Sequence, residues 1–212
     1  MKNVSTEHTI IKRHYTIITM GVHSSKQSID NNTHTEHDSD NKSYSIVVCG
    51  DSGVGKTSMI IRFADNIYKE SYINRIEFGF KNKLLVIDNT KIKLRVWDTS
   101  GEQRHSVVGC HYRKLHGYMV VYDICDRRSF DNIIKWLEQI RQYGDYDNSI
   151  IYLVGTKSDT SDRRVVSFEE AQKFATTHRL TYFETSSKDG VNVEECFMSM
   201  ASNVNSYNAT KH

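Results

Sequence analysis

The stretch Gly50-Asp51-Ser52-Gly53-Val54-Gly55-Lys56-Thr57 decides the fold, because it stands between two apolar segments. Ile46-Val47-Val48 before it predicts a buried strand, and Met59-Ile60-Ile61-Arg62-Phe63 after it predicts a helix. Glycines let the backbone wind so that successive N–H groups point at an anion, and the N-terminus of the following helix adds partial positive charge. The spacing G-x-x-x-x-G-K-T in this context is typical of a loop that binds phosphate.

Two side chains at the end of this loop have separate roles. Lys56 can reach the outer phosphates of a nucleotide as a point charge, and the Thr57 hydroxyl can ligate a Mg²⁺ ion that bridges those phosphates. A chance glycine-rich turn is the alternative, and the flanking strand and helix argue against it. We therefore predict that residues 50–57 bind phosphate.

Composition narrows the class of protein. The chain has 212 residues, a net charge of +2 and 25% charged residues, so it can bury a full core and has no broad basic field for nucleic acid. No apolar run is long enough to span a bilayer, and the first residues lack the order of a signal peptide. The widely spaced cysteines form no C-x-x-C pair, which indicates reduced thiols: Cys49, Cys110, Cys125 and Cys196. We expect a cytoplasmic monomer that does not bind nucleic acid.

Composition also divides the chain into three parts. Residues 1–43 are rich in Ser, Thr, Asn and His, which predicts a disordered polar extension. Its segment Thr9 to Val22 is less polar and could fold on a partner. Residues 44–207 form the folded domain, and residues 208–212 are a short polar tail.

Strand and helix patterns alternate from Tyr44 onward, which predicts a three-layer α/β/α fold. Strands are expected at 44–49, 78–88, 91–97, 118–123, 150–155 and 181–184. Helices are expected at 56–66, 129–143, 167–178 and 192 to about 207, the last two opening on Ser167-x-x-Glu170 and Asn192-x-x-Glu195. Asp88-Asn89 predicts a turn, so one antiparallel strand should join an otherwise parallel six-stranded sheet.

Three further motifs fall at predicted strand ends, where open α/β sheets bind ligands. Asp98-Thr99-Ser100-Gly101 places a carboxylate for Mg²⁺ and a glycine N–H for a terminal phosphate. Thr156-Lys157-Ser158-Asp159 offers two carboxylate oxygens to the adjacent donors of guanine, a pair that adenine lacks. Glu184-Thr185-Ser186-Ser187-Lys188 offers backbone N–H groups to the base oxygen. Each of these motifs is weak evidence alone, because a surface turn has similar composition.

The four motifs in this order resemble the small GTPases of the Ras superfamily, and residues 44–207 are most similar to the Rab branch. Further Rab-like stretches are Arg62-Phe63-Ala64-Asp65, Lys91-Ile92-Lys93-Leu94, Val120-Val121-Tyr122-Asp123 and Ser129-Phe130-Asp131-Asn132. The resemblance implies the P-loop NTPase fold, GTP or GDP with Mg²⁺ as cofactors, and slow GTP hydrolysis. It also implies a switch in vesicle traffic that works with effector proteins, a nucleotide exchange factor and a GTPase-activating protein.

The same resemblance, carried over position by position, implies a metal site and a nucleotide site. Thr57 and Asp98 would ligate Mg²⁺, and Tyr68 would stack on guanine. Thr156 stands where relatives usually have Asn. The implied nucleotide-binding residues are Gly50, Asp51, Ser52, Gly53, Val54, Gly55, Lys56, Thr57, Ser58, Tyr68, Asp98, Gly101, Thr156, Lys157, Asp159, Ser186, Ser187 and Lys188.

The first switch segment departs from the Rab pattern at two positions. Arg75 stands where relatives carry a Thr that ligates Mg²⁺, and a guanidinium has no acceptor atom for a cation. Glu77 replaces a usual glycine and removes its backbone freedom. We expect this loop to be coupled only weakly to GTP.

The catalytic position is altered as well. Relatives place Gln directly after the glycine of D-x-x-G to orient the attacking water, whereas Gly101 is followed here by Glu102 and Gln103. Either Glu102 occupies the Gln position, or one residue has been lost between Gly101 and His116; Glu102 and Gln103 are the candidate catalytic residues. A Glu beside the phosphates would repel the charge that develops in the transition state. We therefore expect hydrolysis no faster than on the order of 10⁻⁴ per second, the rate of unassisted relatives.

The resemblance also implies an effector surface and a mode of membrane attachment. The effector-facing residues would be Tyr72, Ile76, Phe80, Trp97 and His111, the last replacing a usual Tyr. Rabs end in prenylated cysteines, and no cysteine follows Cys196 here, so we expect no lipid anchor and any peripheral membrane location to depend on a partner.

Three functions are compatible with these residues. The first is a Rab-like switch that binds GTP or GDP. The second is a pseudo-GTPase, an interaction module that holds the nucleotide as a structural ligand, which Arg75 and Glu77 favour. The third is another P-loop enzyme, such as an ATP-dependent phosphotransferase, against which Lys157 and Asp159 argue.

Overall fold

A six-stranded sheet forms the centre of the molecule. The computed structural model describes residues 42–69, 79–99 and 115–211. The strands are β1 Lys42–Gly50, β2 Phe80–Ile87, β3 Thr90–Asp98, β4 Gly117–Asp123, β5 Ile150–Thr156 and β6 Thr181–Glu184. They lie in the order β2-β3-β1-β4-β5-β6.

Strand pairing is parallel except at one edge. β1 pairs in parallel with β3 and β4. β4 pairs in parallel with β5, and β5 pairs in parallel with β6. β2 and β3 are antiparallel, and both Asp88 and Asn89 between them have positive φ, 48° and 61°. Asn and Asp tolerate this left-handed conformation better than other side chains do. The predicted turn and the single antiparallel strand are thus confirmed.

Helices cover both faces of the sheet. They are α1 Lys56–Asp65, α2 Arg127–Asp131, α3 Ile133–Tyr143, α4 Phe168–Thr177 and α5 Val193–Ala209. α1 and α5 pack on one face, where the rings of Phe63 and Phe197 stack with centroids 4.1 Å apart. α3 and α4 pack on the other face through side chains such as Leu137 and Ala171. The predicted three-layer fold is confirmed.

The single helix predicted over 129–143 is wrong, because the chain forms two helices that meet at Asn132. The first helix also begins earlier, since the Asp126 side chain accepts the N–H of Arg128 and caps it. At the junction, the N–H of Asn132 donates to the carbonyls of both Arg128 and Phe130, which tightens the turn. The Asn132 side chain is held elsewhere, on Asp51.

The two predicted helix caps have different outcomes. Ser167 caps α4, accepting the N–H of Glu170 at 3.1 Å, as predicted. Asn192 makes no cap bond to α5, so this prediction is wrong; it has φ of 56° and donates instead to the Glu184 carbonyl at 2.9 Å. α5 buries its apolar stripe as expected and continues to Ala209, beyond the predicted end near 207. In the part of the chain that the structure describes, no helix is long and apolar enough to cross a bilayer.

Candidate nucleotide site

The four sequence motifs meet at one edge of the sheet. β1, β3, β5 and β6 run in the same direction and end at Gly50, Asp98, Thr156 and Glu184, respectively. The carboxyl ends of parallel strands therefore place all four motifs side by side, in the position where α/β sheets bind ligands.

The loop from Gly50 to Thr57 requires its glycines. Gly50, Gly53 and Gly55 have φ values of 147°, 79° and 98°, which side chains rarely allow. A Cβ atom on Gly50 would also lie 2.2 Å from the carbonyl oxygen of Val121. The loop can therefore wind closely over β4, which is the backbone geometry that an anion-binding loop needs.

Lys56 lies beneath this loop and is 5% exposed. Its ammonium donates to the carbonyls of Gly50 at 2.9 Å and Asp51 at 2.7 Å. Burial lowers the pKa of Lys56, and the nearby carboxylate of Asp98 opposes that shift. The charge of a buried ammonium is not neutralised by carbonyl groups, so a phosphate in the loop would be a favourable counter-ion.

Thr57 and Asp98 form the predicted metal pair. The Thr57 hydroxyl donates to Asp98 Oδ2 at 2.5 Å. The other carboxylate oxygen, Oδ1, is buried and has no hydrogen-bond partner among residues 42–69, 79–99 and 115–211. Burial raises the pKa of Asp98, although the Thr57 hydrogen bond and the Lys56 charge oppose the shift. An unsatisfied buried carboxylate oxygen beside a hydroxyl fits Mg²⁺, which prefers oxygen ligands.

Asp159 and Ser186 come together from different loops. The Ser186 hydroxyl donates to Asp159 Oδ1 at 2.7 Å, and the N–H of Asp189 donates to that hydroxyl at 3.0 Å. Lys157 has φ of 62°, and its ammonium lies 2.7 Å from a carboxylate oxygen of Asp123. The proposed base-reading carboxylate is thus held in place by the motif that follows β6.

Thr156 joins the segment predicted to read the base to the predicted phosphate loop. Its hydroxyl is 2.5 Å from the carbonyl oxygen of Val54 and 3.0 Å from that of Tyr122. A threonine hydroxyl carries one proton, whereas an asparagine amide carries two. Thr156 therefore keeps the contact with the phosphate loop but has no second proton to donate to a ligand.

Two sets of contacts that support the site were not predicted from the sequence. The Asp51 carboxylate accepts hydrogen bonds from Asn132 Nδ2 at 2.6 Å and Trp136 Nε1 at 2.9 Å. Arg62 donates to the backbone of the loop after β6. Arg62 is the one cation inside the apolar run Met59–Phe63, which was a signal for it, but its partners in this loop lie more than 120 positions away in the chain.

Further predicted residues lie around this edge. Tyr68 is half-buried, with its ring centroid 5.9 Å from the Arg62 guanidinium carbon. Phe80 is 41% exposed and packs on the half-buried Trp97 with ring centroids 4.8 Å apart, which is compatible with an exposed aromatic surface. The other predicted positions fall outside the described residues: Tyr72, Arg75, Ile76, Glu77, Gly101, Glu102, Gln103 and His111.

The fold and this site define a P-loop nucleotide-binding protein. Comparison with known proteins gives the family: a profile of the Ras family matches residues 45–206. The Ras-related protein RABD2a of Arabidopsis thaliana is 41% identical over 162 residues, which cover 76% of this chain and 79% of that protein. The chain therefore belongs to the Ras family of small GTPases, in its Rab branch.

Proposed function

We propose that this protein is a Rab-type guanine-nucleotide switch that binds GTP or GDP with Mg²⁺ and recruits effector proteins in vesicle traffic. The observation that carries the proposal is the hydrogen bond from Thr156 to the Val54 carbonyl. It joins the segment that would read the base to the loop that would hold the phosphates. Membership of the Rab branch supports the same conclusion.

The residues of the site have distinct roles in this proposal. The N–H groups of the phosphate loop and the Lys56 ammonium hold the phosphates, and the Asp159 carboxylate accepts the two adjacent N–H groups of guanine. Thr57 and Asp98 would hold Mg²⁺. When bound, the ion neutralises charge that develops between the outer phosphates.

Hydrolysis is the slow part of the proposed activity. Arg75 has no acceptor for the metal, and Glu102 brings negative charge to the position that orients water in relatives. We expect purified protein to bind labelled GDP and GTP and to hydrolyse GTP in a single turnover at or below a rate on the order of 10⁻⁴ per second. Failure to bind either nucleotide would refute the proposal, and a rate well above this value would refute its hydrolytic part.

The second candidate is a pseudo-GTPase that holds its nucleotide as a structural ligand while partners bind a fixed surface. Arg75 and Glu77 favour it, because Arg75 replaces the Thr that ligates Mg²⁺ in relatives and Glu77 replaces a glycine that gives the switch its backbone freedom. Hydrogen exchange of the segments around residues 68–80 and 100–114, measured with GDP and with a nonhydrolysable GTP analogue, separates the candidates. A large difference supports the switch, and equal exchange supports the module.

The nucleotide-binding domain would be flanked by two polar segments. Residues 44–207 would act as the nucleotide-binding domain, residues 1–43 as a polar extension and residues 208–212 as a tail. We expect a cytoplasmic monomer that works with an exchange factor and a GTPase-activating protein. Any peripheral membrane association is proposed to occur through a partner protein.

A further inference from the structure

Arg62 connects α1 to the loop that follows β6. It lies in the last turn of α1, half-buried, and its Nε donates to the Ser187 carbonyl at 2.6 Å. One terminal nitrogen of the same guanidinium donates to the Lys188 carbonyl at 2.8 Å. The other donates to the backbone and side-chain oxygens of Asn66, both at 3.3 Å. One planar cation therefore holds two successive carbonyls while it is itself held by the end of its helix.

The two carbonyls determine where two N–H groups point. In a trans peptide unit, the C=O and the following N–H point in opposite directions, and the described residues contain no cis peptide bond. By holding the Ser187 carbonyl, Arg62 directs the N–H of Lys188 away from α1. By holding the Lys188 carbonyl, Arg62 likewise directs the N–H of Asp189 away from its own guanidinium.

The second of these peptide units leads to the base-reading carboxylate. The N–H of Asp189 donates to the Ser186 hydroxyl at 3.0 Å, and that hydroxyl donates to Asp159 Oδ1 at 2.7 Å. A continuous series of hydrogen bonds thus runs from the Arg62 guanidinium, through one peptide unit and one hydroxyl, to Asp159. Ser186 is 1% exposed, so solvent does not replace these bonds easily.

We infer that Arg62 is a positioning residue for guanine recognition, which acts on the Asp159 carboxylate through the 188–189 peptide unit and the Ser186 hydroxyl. This inference rests on the proposed function, in which Asp159 reads the base. Arg62 touches neither base nor phosphate in this role. Its contribution should therefore appear as base selectivity.

Inosine diphosphate provides the test, because its base keeps the N1–H and O6 of guanine but lacks the 2-amino group. That group is one of the two donors from which Asp159 would accept a hydrogen bond. We would measure dissociation constants for GDP and inosine diphosphate with wild type, R62A, S186A and R62A/S186A. We expect R62A to weaken GDP binding about tenfold and inosine diphosphate binding only about threefold, given the usual strength of charge-assisted hydrogen bonds. R127A is the matched control, since Arg127 is an exposed helical arginine whose two carboxylate partners, Asp131 and Glu170, lie outside this loop.

A merely structural role for Arg62 predicts a different result. It would weaken both nucleotides by the same factor and leave the ratio of their dissociation constants unchanged, which would overturn the inference. Fully additive effects in R62A/S186A would also overturn it, because residues in one series of bonds should couple. If R62A does not fold, R62K replaces it and should change the ratio in the same direction by less, since an ammonium lacks the fixed fork. Wild-type protein that binds neither nucleotide would refute the proposed function instead.

Discussion

Thr156 uses its one hydroxyl proton within the protein and has no second proton to donate to a ligand. Its hydroxyl is buried between the carbonyls of Val54 and Tyr122, which belong to the phosphate loop and to β4. A buried carbonyl that loses its donor bears the full cost of desolvation. Thr156 is therefore expected to affect the stability of the fold as well as ligand binding.

Replacing Thr156 by Val removes this hydroxyl and keeps the shape of the side chain. We expect the free energy of unfolding to fall by about 1–3 kcal/mol, because the carbonyls of Val54 and Tyr122 lose the hydroxyl that lies between them. Urea denaturation at fixed GDP and Mg²⁺ measures the change. Thr156→Ser is the control, since it keeps the hydroxyl and loses only the methyl group, and we expect its loss to be smaller. An unchanged free energy of unfolding in Thr156→Val would contradict this role of the hydroxyl.

At the scale of the elements, α3 is attached to the phosphate loop through Asp51. Trp136 and Asn132, one turn apart, donate to the two oxygens of that carboxylate at 2.9 and 2.6 Å. Asn132 also stands at the junction of α2 and α3, and its own side-chain oxygen accepts from Lys135 at 2.8 Å. The break between the helices thus places the Asn132 amide within hydrogen-bond distance of Asp51 at the start of the phosphate loop.

Trp136→Phe tests this attachment, because it removes the N–H donor and keeps an aromatic ring in the core. We expect GDP to dissociate about threefold to tenfold faster, since the start of the phosphate loop loses one of two bonds to its Asp51 anchor. Release of a fluorescent GDP analogue measures the rate. Tyr152→Phe is a matched control that removes a buried polar group bonded to Ser199 on α5, away from the loop. Equal acceleration in both variants would contradict the attachment.

At the scale of the whole molecule, a half-buried polar cluster stabilises the β6 edge of the sheet. Arg164 donates from two nitrogens to the two oxygens of Glu184, each at 2.7 Å. The Tyr182 hydroxyl donates to Glu184 at 2.7 Å and lies 2.8 Å from the Tyr122 hydroxyl on β4. Burial raises the pKa of Glu184, but the hydrogen bonds from Arg164 and Tyr182 outweigh it, so the pKa lies below its usual value.

This lowered pKa predicts how stability depends on pH. A carboxyl whose pKa is lower in the folded state contributes stability that is complete above its unfolded pKa, near 4.5, and is lost as pH falls through the folded pKa. We expect Glu184→Gln to lower the free energy of unfolding at pH 7 by about 1–3 kcal/mol and to flatten the decline of stability below pH 4.5. Urea denaturation across this range checks both effects.

The control for this experiment is Glu138→Gln, which removes one exposed carboxylate from α3. We expect it to change the free energy of unfolding by less than about 0.5 kcal/mol at pH 7. An unaltered acid decline in Glu184→Gln would show that the bonds between Arg164 and Glu184 do not link protonation to folding.

Local patterns predicted most of the fold. The strands, the turn at Asp88-Asn89 and the Ser167 cap depend on neighbouring residues, so their sequence signals were sufficient. The patterns failed at Asn132 and Asn192, where a short polar side chain donates to a group outside the following helix and accepts no backbone N–H of that helix as a cap. A single sequence does not show which of the two partners such a side chain will choose.

The motifs of the proposed site could be predicted from the sequence, because each motif is contiguous and phosphate and guanine would require particular residue types at particular spacings. The supports of those motifs were not evident. Arg62 with Ser187, Asp51 with Trp136, and Thr156 with Val54 are pairs separated by 125, 85 and 102 positions. Their geometry arises only when parallel strands bring their carboxyl ends to one edge. The sequence alone thus determined the strands, most of the helices and the residue types in each loop. The tertiary structure decided how the loops hold one another, because hydrogen bonds depend on distances and angles that chain order does not specify.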